Sequence, residues 1–310
     1  MIIQTGMRTD IPAYYSRWFI NRIKEGYVLV RNPYNPNLIT KYILNPSLVD
    51  LFAFCTKNPK PMFEYMNYLK SYGQYWFMTI TPYDKDIEPN APNIEESIES
   101  FKKLSSIVGI NSIGWRYDPV FINDKYTINY HLSIFENMAK ELCGYTQTCV
   151  ISFIDIYKKV ERNFPKISEV SHVDKMYLGK EIIKIASKYG MIVKPCAEDR
   201  ELEKYGANCN GCLTIDAYKK VLNSDLIIPK KINQRNNQCA CFLGNDIGAY
   251  NTCLHLCRYC YANTDKKEVL ENYKKHNPNS SMLVGNVKKE DVIKEAKQVS
   301  YISNQIILDI

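Results

Sequence analysis

Three cysteines near the end of the chain have the spacing of a metal-cluster site. Cys253, Cys257 and Cys260 follow the pattern Cys-x3-Cys-x2-Cys, and Tyr259 stands directly before the last of them. Three thiolates on a short loop can hold three corners of a [4Fe–4S] cube, whose usual protein ligands are cysteine sulfurs. The fourth iron would then be open to a substrate or cofactor, much as a catalytic zinc keeps one position free. We therefore predict a [4Fe–4S] cluster on these three cysteines.

Two other interpretations of the same three cysteines stay open. A zinc ion could take them together with His255 or another cysteine, although zinc more often uses paired Cys-x2-Cys units in closed four-ligand sites. The thiols could also be unconnected core residues, because free cysteine often behaves as a small buried hydrophobic side chain. The spacing favours the cluster, and His255 is expected to follow the loop without ligating.

A second group of cysteines precedes the first. A Cys-x2-Cys pair and a Cys-x-Cys pair are separated by about 26 residues, which is typical of a metal site. The predicted ligands are Cys196, Cys212, Cys239 and Cys241, with Cys209 spare or substituting for one of them. A second iron–sulfur cluster is favoured because a cytosol that loads one cluster can load another, but a structural zinc is a serious rival.

The composition is that of an ordinary globular protein. Hydrophobic residues make up 45% of the 310 residues and charged residues 24%, which suits one large or two modest α/β domains. The net charge of +7 is mild, so it could favour an anionic substrate but leaves nucleic-acid binding undecided. No apolar run approaches the roughly 20 residues that cross a bilayer, and the first residues are too polar for a signal peptide. We expect a cytoplasmic protein without a membrane partner, where reduced thiols are available for metal.

Short apolar runs alternate with longer helical stretches over the first 198 residues. Strands are predicted around Ile2–Thr5, Val49–Cys55, Tyr75–Thr81, Ser112–Tyr117, Cys149–Asp155 and Met191–Cys196. Helices are predicted over Ala13–Lys24, Pro61–Tyr72, Ile94–Val108, Leu132–Cys143 and Lys175–Tyr189. The third helix has Asn93 as a candidate cap and Gly109 where it would stop. Strands that are nearly continuously apolar indicate a parallel sheet covered by helices.

The alternation predicts an α/β fold, specifically a partial (β/α)6-like barrel of the TIM type. We assign residues 1–198 to this barrel and residues 199–263 to a cysteine-rich, cluster-binding region packed on its mouth. Residues 264–310 are predicted to form a helical tail, with a second helix of that tail beginning near Lys289.

Polar or charged residues end almost every predicted strand. In a (β/α) barrel the carboxyl ends of the strands converge on one face and carry the active site. Cations there could grip a carboxylate or phosphate, and acids could bind ribose hydroxyls, pair with the cations or act as acid/base groups. Any single one of them could equally be a loop residue or a helix cap. The candidates are Arg8, Asp10, Lys57, Arg116, Asp118, Asp155 and Glu198.

The cysteine loop resembles that of the radical S-adenosylmethionine (SAM) enzymes, in which one iron of the cluster binds the amino and carboxylate groups of SAM. The resemblance implies SAM as a second cofactor, with Tyr259 near its adenine and Asn251 in the same site. The chain as a whole resembles a bacterial and archaeal family catalogued as a domain of unknown function. The matching stretches include Arg8–Tyr15, Glu25–Tyr34, Phe54–Pro59, Gly114–Pro119 and Asp246–Ala262. One departure is that the cluster loop of radical SAM enzymes follows the first barrel strand, whereas here it follows the last.

Three functional hypotheses follow. The leading one is a radical SAM-like enzyme that forms a 5′-deoxyadenosyl radical and acts on a small-molecule or nucleotide-like anionic substrate, with a reducing partner such as ferredoxin or flavodoxin. The alternative is a zinc- or cluster-stabilised binding protein for RNA or a phosphorylated ligand, without radical chemistry. A third is an iron–sulfur enzyme that uses the open iron as a Lewis acid, without SAM.

Overall fold

The structure, a computed structural model, describes residues 1–228 and 241–303. Its strands are β1 (Ile2–Gln4), β2 (Tyr27–Arg31), β3 (Leu38–Ile43), β4 (Leu51–Thr56), β5 (Gly73–Thr79), β6 (Ile113–Val120), β7 (Thr148–Phe153), β8 (Ile192–Pro195), β9 (Asn245–Asp246) and β10 (Val292–Glu295). Its α-helices are α1 (Ile11–Tyr14), α2 (Ser16–Glu25), α3 (Ile94–Val108), α4 (Ile128–Leu142), α5 (Lys158–Asn163), α6 (His172–Lys188), α7 (Ile215–Leu222) and α8 (Lys266–Lys274). Short 3-10 helices cover Lys60–Leu69, Ile110–Ser112 and Arg200–Tyr205.

Seven strands form one parallel sheet in the order β8-β7-β6-β5-β4-β1-β9. Helices lie between successive strands along the chain, so the predicted α/β class is confirmed. β8 and β9 are the edge strands, and within residues 1–228 and 241–303 no pairing between them closes the sheet into a barrel.

All six predicted strands are present, because a strand buried on both faces is apolar along its whole length. β4 and β5 show this pattern, and nearly every residue of their shared central stretch is buried. Aromatic side chains then fill the space between sheet and helices. The rings of Phe54 and Trp76 stack with centroids 3.9 Å apart, and those of Trp115 and Phe135 stack at 4.7 Å. Such pairs stabilise the core beyond the area they bury.

The predicted helix Ile94–Val108 is confirmed with both of its boundaries. The side chain of Asn93 accepts a hydrogen bond from the backbone N–H of Glu96 at 2.8 Å, which satisfies one of the free donors of the first turn. Gly109 follows the last turn with φ of 88°, a conformation that favours glycine. None of the helices in the described ranges is long and apolar enough to cross a bilayer.

The tail differs from the prediction. Its first half contains α8, but the helix expected near Lys289 is wrong, because the chain forms β10 there. β10 adds in parallel to β3, which pairs in antiparallel with β2, and the three make a second sheet. Arg31 holds this segment by donating to both carboxylate oxygens of Asp291 at 2.6 and 2.7 Å. Pairing with the free edge of β3 therefore overrides the local helix preference of a Lys/Glu-rich segment.

His131 is a fully buried histidine of α4. Its Nε2–H donates to the carbonyl oxygen of Phe121 at 2.8 Å, and its Nδ1 accepts from the hydroxyl of Tyr117 at 2.7 Å. Burial disfavours the charged ring and lowers the pKa of His131 to about 4. The folded protein therefore keeps this ring neutral near neutral pH.

This burial predicts a specific loss of stability in mild acid. The unfolded chain protonates His131 near pH 6.5, whereas the folded chain does so only near pH 4, so stability present above pH 6.5 is lost as the pH falls towards 4. The expected loss is about 3 kcal/mol in the free energy of unfolding, measured by urea titrations at a series of pH values. His131→Gln should flatten this part of the profile, whereas His172→Gln, at an exposed histidine, should leave it unchanged. Equal profiles for the wild type and His131→Gln would contradict the assignment.

Candidate functional site

The carboxyl ends of the parallel strands open onto a cavity of about 260 Å³. Its wall contains residues within or just after β1, β4, β5, β6, β7 and β8, as expected when the carboxyl ends of parallel strands meet at one edge. It also contains cysteines from both predicted groups. Candidate residues in the wall are Lys57, Arg116, Asp118, Asp155, Cys196, Cys212, Cys241, Tyr259 and Cys260.

The cysteine loop follows β9, and the pairing of β9 explains how it reaches the cavity. β9 lies beside β1, with Asn245 opposite Ile3 and Asp246 opposite Gln4. A loop that leaves the last strand is therefore next to the end of the first strand in space. The cysteine loop thus lies beside the end of the first strand, although along the chain it follows a late strand.

Asp10 and His255 fix the middle of the cysteine loop to the end of β1. One carboxylate oxygen of Asp10 accepts from Nε2 of His255 at 2.9 Å and from the backbone N–H of Lys57 at 2.8 Å, and the other caps α1 at Ala13. The Nδ1 atom of His255 lies 2.9 Å from the Tyr14 hydroxyl. Both side chains are almost completely buried, with exposures of 5% for Asp10 and 2% for His255. His255 is thus engaged by Asp10 and Tyr14, and its expected absence from the metal ligands stays a prediction.

Glu88 fixes the end of the same loop. Its carboxylate accepts hydrogen bonds from the hydroxyls of Tyr259 and Thr81 and forms an ion pair of 2.9 Å with Lys57. Burial alone would lower the pKa of Lys57, but the charges of Glu88 and of the nearby Cys257 outweigh it and raise that pKa. Lys57 therefore stays protonated and lies 5.9 Å from the centre of the Tyr259 ring.

The segment between β5 and α3 grips the loop through backbone groups as well. The side chain of Asn90 donates to the carbonyl of Leu254 at 2.6 Å, and the backbone N–H of Arg258 donates to Ile87 at 3.0 Å. Neither Glu88 nor Asn90 belongs to the sequence-predicted site. They follow β5 within a polar, Pro-containing loop, and the only signal that could have found them is their position after a strand that ends at the same edge.

The three cysteines of the loop are close enough to interact electrostatically, and burial raises the pKa of Cys253, Cys257 and Cys260. Backbone groups also donate hydrogen bonds that favour thiolate at two of these sulfurs: the backbone of His255 to Cys253, and the N–H of Ala262 to Cys260 at 3.4 Å. These donors only partly offset the desolvation, so the protein alone favours the neutral thiols.

Asn251 shapes the start of the loop. It has φ of 57°, in the left-handed region that an Asn side chain tolerates well, and its carbonyl accepts from Asn272 of α8 at 3.0 Å. Its side chain also accepts from the backbone N–H of Thr264. These contacts account for the loop conformation, and the assignment of Asn251 to a cofactor stays a prediction.

Arg116 and Asp118 form an ion pair in the cavity wall. Nε of Arg116 donates to Asp118 at 3.0 Å, and a second bond joins Nη2 to the other carboxylate oxygen. Burial would lower the pKa of Arg116, but Asp118, Cys196 and Cys212 raise it well above its ordinary value. Nη1 of Arg116 lies 3.8 Å from the sulfur of Cys212, so this guanidinium joins the strand ends to the second cysteine group.

In that second group, Cys212 Sγ lies 3.9 Å from Cys196 Sγ and 3.3 Å from Cys241 Sγ. The predicted ligand Cys239 lies outside the described residues. Cys209 is turned away, and its sulfur interacts with the backbone of Glu203. In the described ranges, no set of three or more His, Cys, Asp or Glu side chains already surrounds a position for a metal ion.

Arg8 and Glu198 lie outside the central cavity. Arg8 lines an outer cavity of about 670 Å³ together with Lys158, Lys159 and Tyr250. Glu198 lines a separate cavity, where it accepts from the backbone N–H of Phe153 at 2.8 Å, and burial raises its pKa. Of the seven candidates at strand ends, four line the central cavity: Lys57, Arg116, Asp118 and Asp155. Asp10 does not line it, but hydrogen-bonds to the backbone of Lys57 and to His255.

These features define a parallel α/β protein with a cysteine-rich site at the carboxyl edge of its sheet. Within that class, the chain belongs to the family described as Domain of unknown function (DUF1848), which matches residues 2–262. The family resemblance seen in the sequence is thereby confirmed. A comparison with curated proteins finds no match.

Proposed function

We propose that this protein is a radical SAM-like iron–sulfur enzyme, with a [4Fe–4S] cluster on Cys253, Cys257 and Cys260. The observation that carries the proposal is that Tyr259 and Cys260 of the cysteine loop line the same cavity as the polar strand ends. A cofactor on the loop would therefore border the space in which a substrate binds. We further propose that the open sheet is a partial barrel of the TIM type, whose mouth is this cavity.

The residues present fit such a cluster. Three cysteines lie in one loop, and backbone groups donate hydrogen bonds to the sulfurs of Cys253 and Cys260, as they commonly do to the sulfurs of iron–sulfur clusters. His255 is held by Asp10 and Tyr14, so the ligand set is three cysteines, which leaves one iron without a protein ligand. When bound, the cluster and SAM supply a 5′-deoxyadenosyl radical after transfer of one electron.

The chain itself would orient the reactants and shape their charge. Glu88 holds Tyr259 against the cavity, and Lys57 keeps a protonated ammonium beside it. Arg116 and Asp118 present a paired guanidinium and carboxylate to a substrate. The outer cavity adds Arg8, Lys158 and Lys159, which suits a small-molecule or nucleotide-like anionic substrate. The electron would come from a reducing partner such as ferredoxin or flavodoxin.

Cysteine variants test the cluster assignment. Cys253→Ala, Cys257→Ala and Cys260→Ala, purified without oxygen, should each lose about four irons and four sulfides per chain relative to the wild type. Cys143→Ala, at an exposed cysteine outside both groups, should retain all of its iron. Full iron content in the three loop variants would contradict the proposal.

A further inference from the structure

The second cysteine group is assembled from three separate parts of the chain. Cys196 follows β8, Cys212 lies in the loop before α7, and Cys241 lies shortly before β9. Cys212 and Cys241 are buried, with exposures of 2% and 3%, and all three cysteines line the central cavity. The sulfur of Cys212 lies within 4 Å of the other two, so the fold places soft ligands together in the wall of the site.

Hydrogen-bond donors and a cation surround these sulfurs. The backbone N–H groups of Cys212 and Leu213 both point at the sulfur of Cys241, at 3.2 and 3.4 Å. The guanidinium of Arg116 approaches Cys212 Sγ at 3.8 Å. Main-chain donors and a fixed cation around sulfur are what the outer shell of a metal–thiolate site provides, whereas a thiol that merely fills space in a core needs neither.

We propose that Cys196, Cys212 and Cys241 form a mononuclear three-thiolate site for Zn²⁺. This site is separate from the proposed cluster on the cysteine loop. The separations between sulfurs decide between the two metals left open by the sequence. Zn–S bonds of about 2.3 Å in tetrahedral geometry place sulfurs about 3.8 Å apart. The cysteines of a cubane bind different irons, so their sulfurs must stand farther apart.

The observed separations of 3.9 and 3.3 Å agree with one shared ion far better than with a cubane. The shorter separation must widen by about 0.5 Å to match tetrahedral zinc, and in the described ranges no group of three such side chains yet has the geometry to hold a metal ion. A small rotation of one cysteine side chain supplies that movement. Zinc would also reduce the repulsion between neighbouring thiolates, because its two positive charges offset two of the three negative charges. The guanidinium of Arg116, beside Cys212, would balance the remaining negative charge.

Metal analysis of matched variants tests this site without relying on activity. Anaerobically purified wild type should contain about one zinc per chain in addition to the iron on the C-terminal loop. Cys212→Ser and Cys196→Ser should lose that zinc and retain the iron. Cys209→Ser is the matched control, because it alters the other half of the same Cys-x2-Cys pair at a sulfur that faces away, and it should keep both metals.

Cobalt gives a second readout on wild-type protein, which covers the case in which a cysteine variant fails to fold. Protein freed of zinc by a chelator and titrated with Co²⁺ should develop thiolate-to-cobalt absorption that saturates at about one equivalent, and added Zn²⁺ should abolish it. A loss of about four irons in Cys212→Ser would show a second cubane and overturn the proposal. A Cys212–Cys241 disulfide in protein without zinc, or no tight binding of either ion, would overturn it equally. Because iron and zinc are counted separately, failure here is distinguishable from failure of the proposed cluster on Cys253, Cys257 and Cys260.

Discussion

Glutamine in place of Glu88 is expected to lower the free energy of unfolding by about 3–5 kcal/mol. Glu88 is 4% exposed and accepts hydrogen bonds from Lys57, Thr81 and Tyr259. Glutamine has the same shape as glutamate, but its NH2 group is a hydrogen-bond donor. It would face the side chains of Lys57, Thr81 and Tyr259, which are also donors here. It also leaves the Lys57 ammonium in the protein interior without its carboxylate, which is the costly way to break a buried pair.

Two controls separate this effect from a general effect of removing a charge. Glu141→Gln removes the partner of Lys102 in a solvent-exposed pair of 2.7 Å, and it should change stability little. The double variant Lys57→Met, Glu88→Gln should be more stable than Glu88→Gln alone, because it leaves no unpaired ammonium. Urea unfolding of the full chain measures all of them. Equal effects of Glu88→Gln and Glu141→Gln would show that the Lys57–Glu88–Tyr259 contact does not hold the loop.

The second large effect is expected for Asp10→Ala. This substitution removes the acceptor of three hydrogen bonds at once: the cap of α1, the backbone N–H of Lys57 and Nε2 of His255. Each buried donor left without a partner costs about 1–3 kcal/mol. We expect a total loss of about 3–5 kcal/mol in the free energy of unfolding, together with reduced iron content, since the cysteine loop loses its attachment to β1.

Asn93→Ala is the matched control for Asp10→Ala. Asn93 also caps a helix through its side chain, but only one backbone N–H depends on it, so its loss should cost about 1 kcal/mol and leave the iron content unchanged. The difference between the two variants measures the contacts of Asp10 with Lys57 and His255. If Asp10→Ala behaves like Asn93→Ala in both stability and iron content, Asp10 is only a helix cap.

Much of the sheet could be predicted because strands that are buried on both faces are apolar along their whole length. The six apolar runs and the helix Ile94–Val108 with its flanking Asn93 and Gly109 are local patterns, and local patterns are visible in one sequence. β9 escaped prediction for the opposite reason. It has only two residues, and it is defined by pairing with β1, more than 200 positions earlier in the chain. That pairing places the cysteine loop at the site.

The site itself could be predicted in part. Polar residues at strand ends led to Lys57, Arg116 and Asp118, because the fold brings strand ends together. The same reasoning failed to separate Glu198, which faces its own cavity, since a strand-end position does not fix the direction of a side chain. Glu88 was missed because its importance lies in long-range contacts to Lys57 and Tyr259, and no local spacing encodes such contacts.

The most direct test of the proposed function is the product that SAM gives with the reduced protein. Anaerobically purified wild type with its iron and sulfide counted, reduced with dithionite and incubated with SAM, should form 5′-deoxyadenosine. Cys257→Ala under the same conditions should form none. Iron-loaded wild type that binds a cluster but leaves SAM intact after reduction would contradict the proposal that this family member is a radical SAM-like enzyme.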